Sequence, residues 1–119
     1  MAITSNGERS IVLQASGLLD LTKTFSEKNT FTACQVAQSK PAPDLLHFAA
    51  DKMDVDVSKC LLLEDSPTGV AAGVAAGMKN VFGITAVFDD QAHARQRLLE
   101  AGATKVFDSY LEMYSHIMQ

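Results

Sequence analysis

The sequence has no tryptophan, only three prolines and two cysteines, and an aromatic fraction of 7%. Cys34 and Cys60 have neither zinc-ligand spacing nor the density of a disulfide framework. Each precedes or lies in an apolar run, so both are expected to be buried free thiols in a reducing cytoplasm. No apolar run approaches the roughly 18 residues of a membrane-spanning helix, so no membrane partner is expected. A basic excess is also missing: the net charge is −4 and the pI about 5.2, which argues against a nucleic-acid partner. His47, His93 and His116 show no ligand spacing and are expected at or near the surface. Phe82, Phe88 and Phe107 are expected in the core or at its rim. The G-x-G-x-x-G order of a dinucleotide site does not occur.

What the sequence does have is an ordinary hydrophobic fraction of 47% in 119 residues, enough for one domain and one core. Short apolar runs alternate with helical patterns. Ala2–Thr4 reads as a clipped strand, and Glu8–Leu19 as a helix with Ile11, Val12, Ala15, Leu18 and Leu19 on one face. Phe31–Val36 reads as a weak strand and Asp44–Met53 as a helix. The run Cys60-Leu61-Leu62-Leu63 predicts a strand buried on both faces. A helix follows from Pro67 to about Ala76 with Gly77 as its C-cap, then a strand over Asn80–Ile84. The last elements are a helix over Gln91–Ala101 closed by Gly102, a strand over Lys105–Phe107 and a helix over Ser109–Ile117. Strict alternation predicts an α/β fold with a mostly parallel sheet and helices on both faces, as one domain over residues 1–119. Gly69, Gly73 and Gly77 recur every fourth residue, which predicts a flat helix face lying close on the sheet.

Three polar clusters fall at the ends of strands, where ligands bind in open α/β sheets. Thr4-Ser5-Asn6-Gly7 offers a hydroxyl and turn N–H groups suited to a phosphate, although serine there serves equally as a helix N-cap. Ser39-Lys40-Pro41-Ala42-Pro43-Asp44 presents Lys40 from a loop stiffened by two prolines, as a point charge for a phosphoryl group. Asp44 is expected to cap the helix. Glu64-Asp65 ends an apolar strand, and oxygen ligands on a rigid strand end suit Mg²⁺. The alternative is a pair of acids near a helix N-terminus.

These three clusters, in this order, resemble the second, third and fourth motifs of the haloacid dehalogenase superfamily. The strings Lys40-Pro41-Ala42-Pro43-Asp44 and Glu64-Asp65-Ser66-Pro67-Thr68-Gly69 are similar to its branch of β-phosphoglucomutases and phosphoglycolate phosphatases. The resemblance implies a Rossmann-like three-layer α/β/α fold. It implies that Ser5, with Asn6 beside it, binds the transferred phosphoryl group. It further implies that Lys40 neutralises charge at the reacting phosphate, and that Asp65 with Glu64 holds Mg²⁺. The substrate implied is a small phosphorylated metabolite such as a sugar phosphate.

The family's reaction begins with an aspartate attacking phosphorus, from an Asp-x-Asp-Gly-Thr motif on its first strand. Asp54-Val55-Asp56 has no strand before it and no Gly-Thr after it, and reads as solvated loop; Asp89-Asp90 reads as a helix cap. The chain therefore lacks the nucleophile motif, the central strand that carries it between the strands ending at Ser5 and Glu64, and the cap domain. Met1 is expected to be an internal methionine of a longer protein. Two functional classes follow. One is a Mg²⁺-dependent phosphatase or phosphomutase of which this chain, inactive alone, is the carboxyl-terminal part. The other is a non-catalytic domain that binds phosphate weakly or pairs, with itself or another chain, through exposed sheet edges. A receiver-type signalling domain fits less well, because its acids precede its lysine.

Overall fold

The computed structural model describes residues 2–5 and 27–119. The predicted helix over Glu8–Leu19 and the residue Asn6 lie outside the described residues. Among those described, five strands and four α-helices follow one another as β1 (Ile3–Ser5), β2 (Thr30–Thr32), α1 (Asp44–Lys52), β3 (Leu61–Glu64), α2 (Pro67–Ala75), β4 (Asn80–Ile84), α3 (Gln91–Ala101), β5 (Lys105–Phe107) and α4 (Tyr110–Ile117). Every strand pairing is parallel, as alternation with helices requires.

The strands form two sheets, β1-β2 and β3-β4-β5, with no pairing between β1 and β3. The break falls where the family resemblance puts the absent central strand. In β3–β5, Leu62, Val81 and Val106 face α2 and α3, and pack with Val70, Ala72, Ala76 and Leu98. On the opposite face Phe82 and Ile84 pack under Met113 of α4, with Phe107 beside them. This gives helix, sheet and helix layers. Helix α1 joins the two sheets: Leu45 and Ala49 pack on Phe31 of β2, whereas Leu46 enters the larger core.

The glycines serve two purposes. Gly102 follows α3 at φ 112° and Gly77 closes the α2 turn at φ 86°, conformations that cost L-residues energy and glycine little. Gly73 instead lets α2 lie close on the sheet, since a Cβ there would meet Leu62 Cδ2 at 2.6 Å and Val81 Cγ2 at 3.0 Å.

Several expectations need correction. The strand expected over Phe31–Val36 is only Thr30–Thr32; a 3-10 turn over Ala33–Gln35 ends it, and the Gln35 side chain accepts the Thr32 N–H at 2.9 Å. Cys34 and Cys60 are free, but Cys34 is exposed and Cys60 half-buried, because the strand that would have enclosed Cys34 has already turned outward. Strand β3 is not buried on both faces: Leu62 is buried, while Leu61 and Leu63 are 40% and 50% exposed. They share a face with Phe82, but α4 covers that face only over β4 and β5.

Candidate active site

Lys40 sits in a braced loop. Its peptide bond to Pro41 is cis, and the Ala42 N–H donates to Ser39 O at 3.0 Å. Asp44, expected as the cap of α1, is instead the helix's first residue after Pro43. Its Oδ2 accepts the Gln38 N–H at 3.3 Å, so this carboxylate ties down the loop, not the helix end. Lys40 is thereby folded inward and is only 9% exposed as a whole residue.

The Lys40 ammonium spans the break between the sheets. Nζ donates to Thr4 O of β1 at 3.2 Å and to Glu64 Oε1 at the end of β3 at 2.7 Å. Glu64 also receives the Ser66 hydroxyl on Oε2 at 3.4 Å. Ser66 caps α2, its Oγ accepting the Gly69 N–H at 3.0 Å, with Pro67 at the first helical position. The helix dipole favours a carboxylate beside this N-terminus.

Thr4, Ser5, Lys40, Glu64, Asp65, Ser66, Thr68 and Gly69 line a cavity of about 360 Å³ at the carboxyl ends of β1 and β3. Of the residues singled out in the sequence, the fold thus brings Ser5, Lys40, Glu64 and Asp65 to one place; Asn6 lies outside the described residues. The adjacent acids diverge. Glu64 turns inward to Lys40, whereas Asp65 is exposed and lines the cavity. A larger, more open hollow of about 690 Å³ beside α1 includes Asp44, His47, Phe48 and Lys52. Its charged groups, Asp44, Asp51 and Lys52, all belong to α1 itself, and it holds none of Ser5, Lys40, Glu64 and Asp65.

Among the described residues, no three carboxylate, thiol or imidazole side chains converge to enclose a metal ion. A magnesium ion needs only one or two protein carboxylates when water and phosphate oxygens complete its shell. Asp65, uncommitted and on the cavity wall, fits that demand; Glu64 is already engaged by Lys40. Among the described residues that line the cavity, two carboxylates stand against one ammonium, a negative excess that favours a cation.

Asp54 and Asp56 are exposed, and Asp56 Oδ1 accepts the Ser58 N–H at 2.9 Å, a turn contact away from the strand ends. Asp90 caps α3 by accepting the His93 N–H at 3.0 Å. The sequence reading missed a second polar group. Buried Thr85 donates to Asp108 Oδ1 at 2.7 Å, Arg95 pairs with the same oxygen at 3.0 Å, and Gln91 Nε2 donates to Asp108 O at 3.0 Å. The Thr85 hydroxyl foremost, then Arg95, holds the Asp108 carboxyl below its ordinary value. Thr85 and Asp108 each directly follow a strand, β4 and β5, and that position was the available signal.

A family model described as haloacid dehalogenase-like hydrolase matches residues 1–77. The chain is 34% identical over 79 residues to 6-phosphogluconate phosphatase of Escherichia coli, covering 66% of this chain and 35% of that protein. It is 35% identical over 95 residues to glycerol-1-phosphate phosphohydrolase 1 of Saccharomyces cerevisiae, covering 74% of this chain and 36% of the relative. Among solved structures, a HAD family hydrolase from Deinococcus radiodurans with bound phosphate and sodium superposes with a TM-score of 0.83 at 32% identity, over 98% of this chain and 50% of that one. The chain thus spans about a third to a half of the length of these proteins.

Proposed function

The chain belongs to the haloacid dehalogenase-like hydrolases, and on that premise we propose that it is the carboxyl-terminal part of a Mg²⁺-dependent phosphatase, or phosphomutase, acting on a sugar phosphate or another small organophosphate. The observation that carries this reading is the convergence of Ser5, Lys40 and Asp65 on one cavity at the strand ends. Relatives named 6-phosphogluconate phosphatase and glycerol-1-phosphate phosphohydrolase 1 support the substrate class, and a phosphate bound in a similar fold supports the ligand.

In this reading Ser5 hydrogen-bonds a phosphoryl oxygen, and Asn6 beside it is assigned the same task by motif alone. Lys40 supplies a fixed positive charge, directed by Glu64, so that little reorganisation accompanies the change in charge at phosphorus. Asp65 holds Mg²⁺, which would neutralise phosphate charge when bound. The attacking aspartate has no counterpart among these residues, so the chain alone carries out no turnover. With two free thiols, Cys34 and Cys60, a reducing cytoplasm suits it.

The assay is hydrolysis of p-nitrophenyl phosphate by the 119-residue chain with Mg²⁺. No turnover is expected, and turnover that Asp65→Asn abolishes would refute the assignment of inactivity. A second reading, a non-catalytic domain that pairs through its sheet edges, is favoured by one observation. Strands β1 and β3 lack partners on their facing sides among the described residues, and Leu61 and Leu63 are open beside them.

A further inference from the structure

Gly69 lies in the first turn of α2, and nothing in its backbone demands glycine. Its φ is outside the left-handed region, and alanine is the better helix former at such a position. Space explains it instead. A Cβ built on Gly69 would overlap the carboxylate carbon and both carboxylate oxygens of Glu64. The missing side chain forms a slot beneath the helix, and the Glu64 carboxylate occupies it. From that slot Glu64 meets Lys40 Nζ at 2.7 Å and Ser66 Oγ at 3.4 Å.

We propose that Gly69 is a positioning residue for Lys40, acting through Glu64. Gly69 donates its N–H to Ser66 Oγ, Ser66 contacts one Glu64 oxygen, and the other oxygen fixes the ammonium that reaches Thr4 O. A methyl group at position 69 does not have to break the helix. The atoms it meets are the far end of a flexible side chain, so Glu64 swings out and its carboxylate no longer holds the Lys40 ammonium in place. Gly73, four residues on, answers a different need, since the atoms facing it belong to the core side chains Leu62 and Val81. The link from Lys40 placement to phosphate rests on the functional reading above, but the placement itself does not.

The test uses acetylation of the full chain by acetic anhydride, read by mass spectrometry at Lys40 against exposed Lys105 as the internal standard. Gly69→Ala is expected to raise the Lys40 rate roughly fivefold or more, as Glu64→Ala does, by removing a charge-assisted partner. In a Glu64→Ala background the same glycine change is expected to add nothing to the rate. It should also raise the thermal midpoint there, because alanine fills an emptied slot, whereas it lowers the midpoint in the parent chain. An unchanged Lys40 rate in Gly69→Ala, or an equal rise in both backgrounds, overturns the proposal. Should Gly69→Ala lose its fold outright, recovery of the fold in the double variant supports it and failure to recover overturns it. No phosphate enters the experiment, so it fails or succeeds separately from the phosphatase reading.

Discussion

Lys40 Nζ and Glu64 Oε1 meet at 2.7 Å across a break in the sheet, one anchored before β3 by a stiff loop and the other at the end of β3 itself. No backbone pairing joins β1 to β3. The ammonium, donating to a β1 carbonyl and to the β3 carboxylate, is a polar tie between the two sheets at the cavity floor.

The pair is nearly dry, with side chains only 7% and 12% exposed. Removing the Glu64 charge takes from a buried ammonium the carboxylate it donates to at 2.7 Å. Glu64→Gln is therefore expected to destabilise the chain by about 3 kcal/mol, measured by urea unfolding. Replacing both partners by apolar residues should cost less than the single change. A loss below about 1 kcal/mol for Glu64→Gln would mean that the pair is effectively solvated.

Thr30 is fully buried in β2, and its Oγ1 has no hydrogen-bond partner. Valine has nearly the same shape and no hydroxyl to desolvate. Thr30→Val is expected to raise stability by about 1 kcal/mol in the same urea measurement. Destabilisation would show that the hydroxyl is satisfied in solution.

Asp108 gives a pH signature. Its carboxyl is held below the ordinary 3.8, first by the Thr85 hydroxyl. A depressed folded-state value stabilises the fold above the unfolded-state value, and the contribution fades as pH falls through the folded one. Asp108→Ala should lower the melting temperature at pH 7, and the gap to the parent chain should close progressively below about pH 3.8. Because a neutral hydroxyl is the main cause, added salt should change the gap little; a gap that vanishes in high salt would point to Arg95 instead.

The open face of β3 predicts self-association, since exposed apolar strand edges template pairing with another chain. Leu63, at 50% exposure, can be changed with little loss of core. Leu63→Lys is expected to shift the chain toward monomer in gel filtration with light scattering. A parent chain that is already monomeric at high concentration would refute the edge-pairing reading.

Local sequence was enough to determine much of this protein. The α/β alternation, the C-cap at Gly102, the left-handed Gly77 one residue past the Ala76 cap of α2, the Pro67 helix start and the clustering of Ser5, Lys40, Glu64 and Asp65 at strand ends all follow from periodicity, turn chemistry and motif order. These features depend on interactions between near neighbours, or on a rule that holds for every parallel sheet. The burial of β3 did not follow, because an apolar run reports what a strand can bury and not which layer covers it. Nor did the end of the strand at Thr32, where a side chain three residues on, Gln35, accepts the backbone N–H as the chain turns out of the sheet.

The division of labour between Glu64 and Asp65 was likewise decided only by the fold. Successive strand residues point to opposite faces, so the sequence separates the two acids but cannot say which one finds a cation. That depended on Lys40, 24 residues away, arriving across the sheet break, and on the space left at Gly69. Both are long-range packing facts, and they turn one acid into the anchor of a lysine and leave the other on the cavity wall.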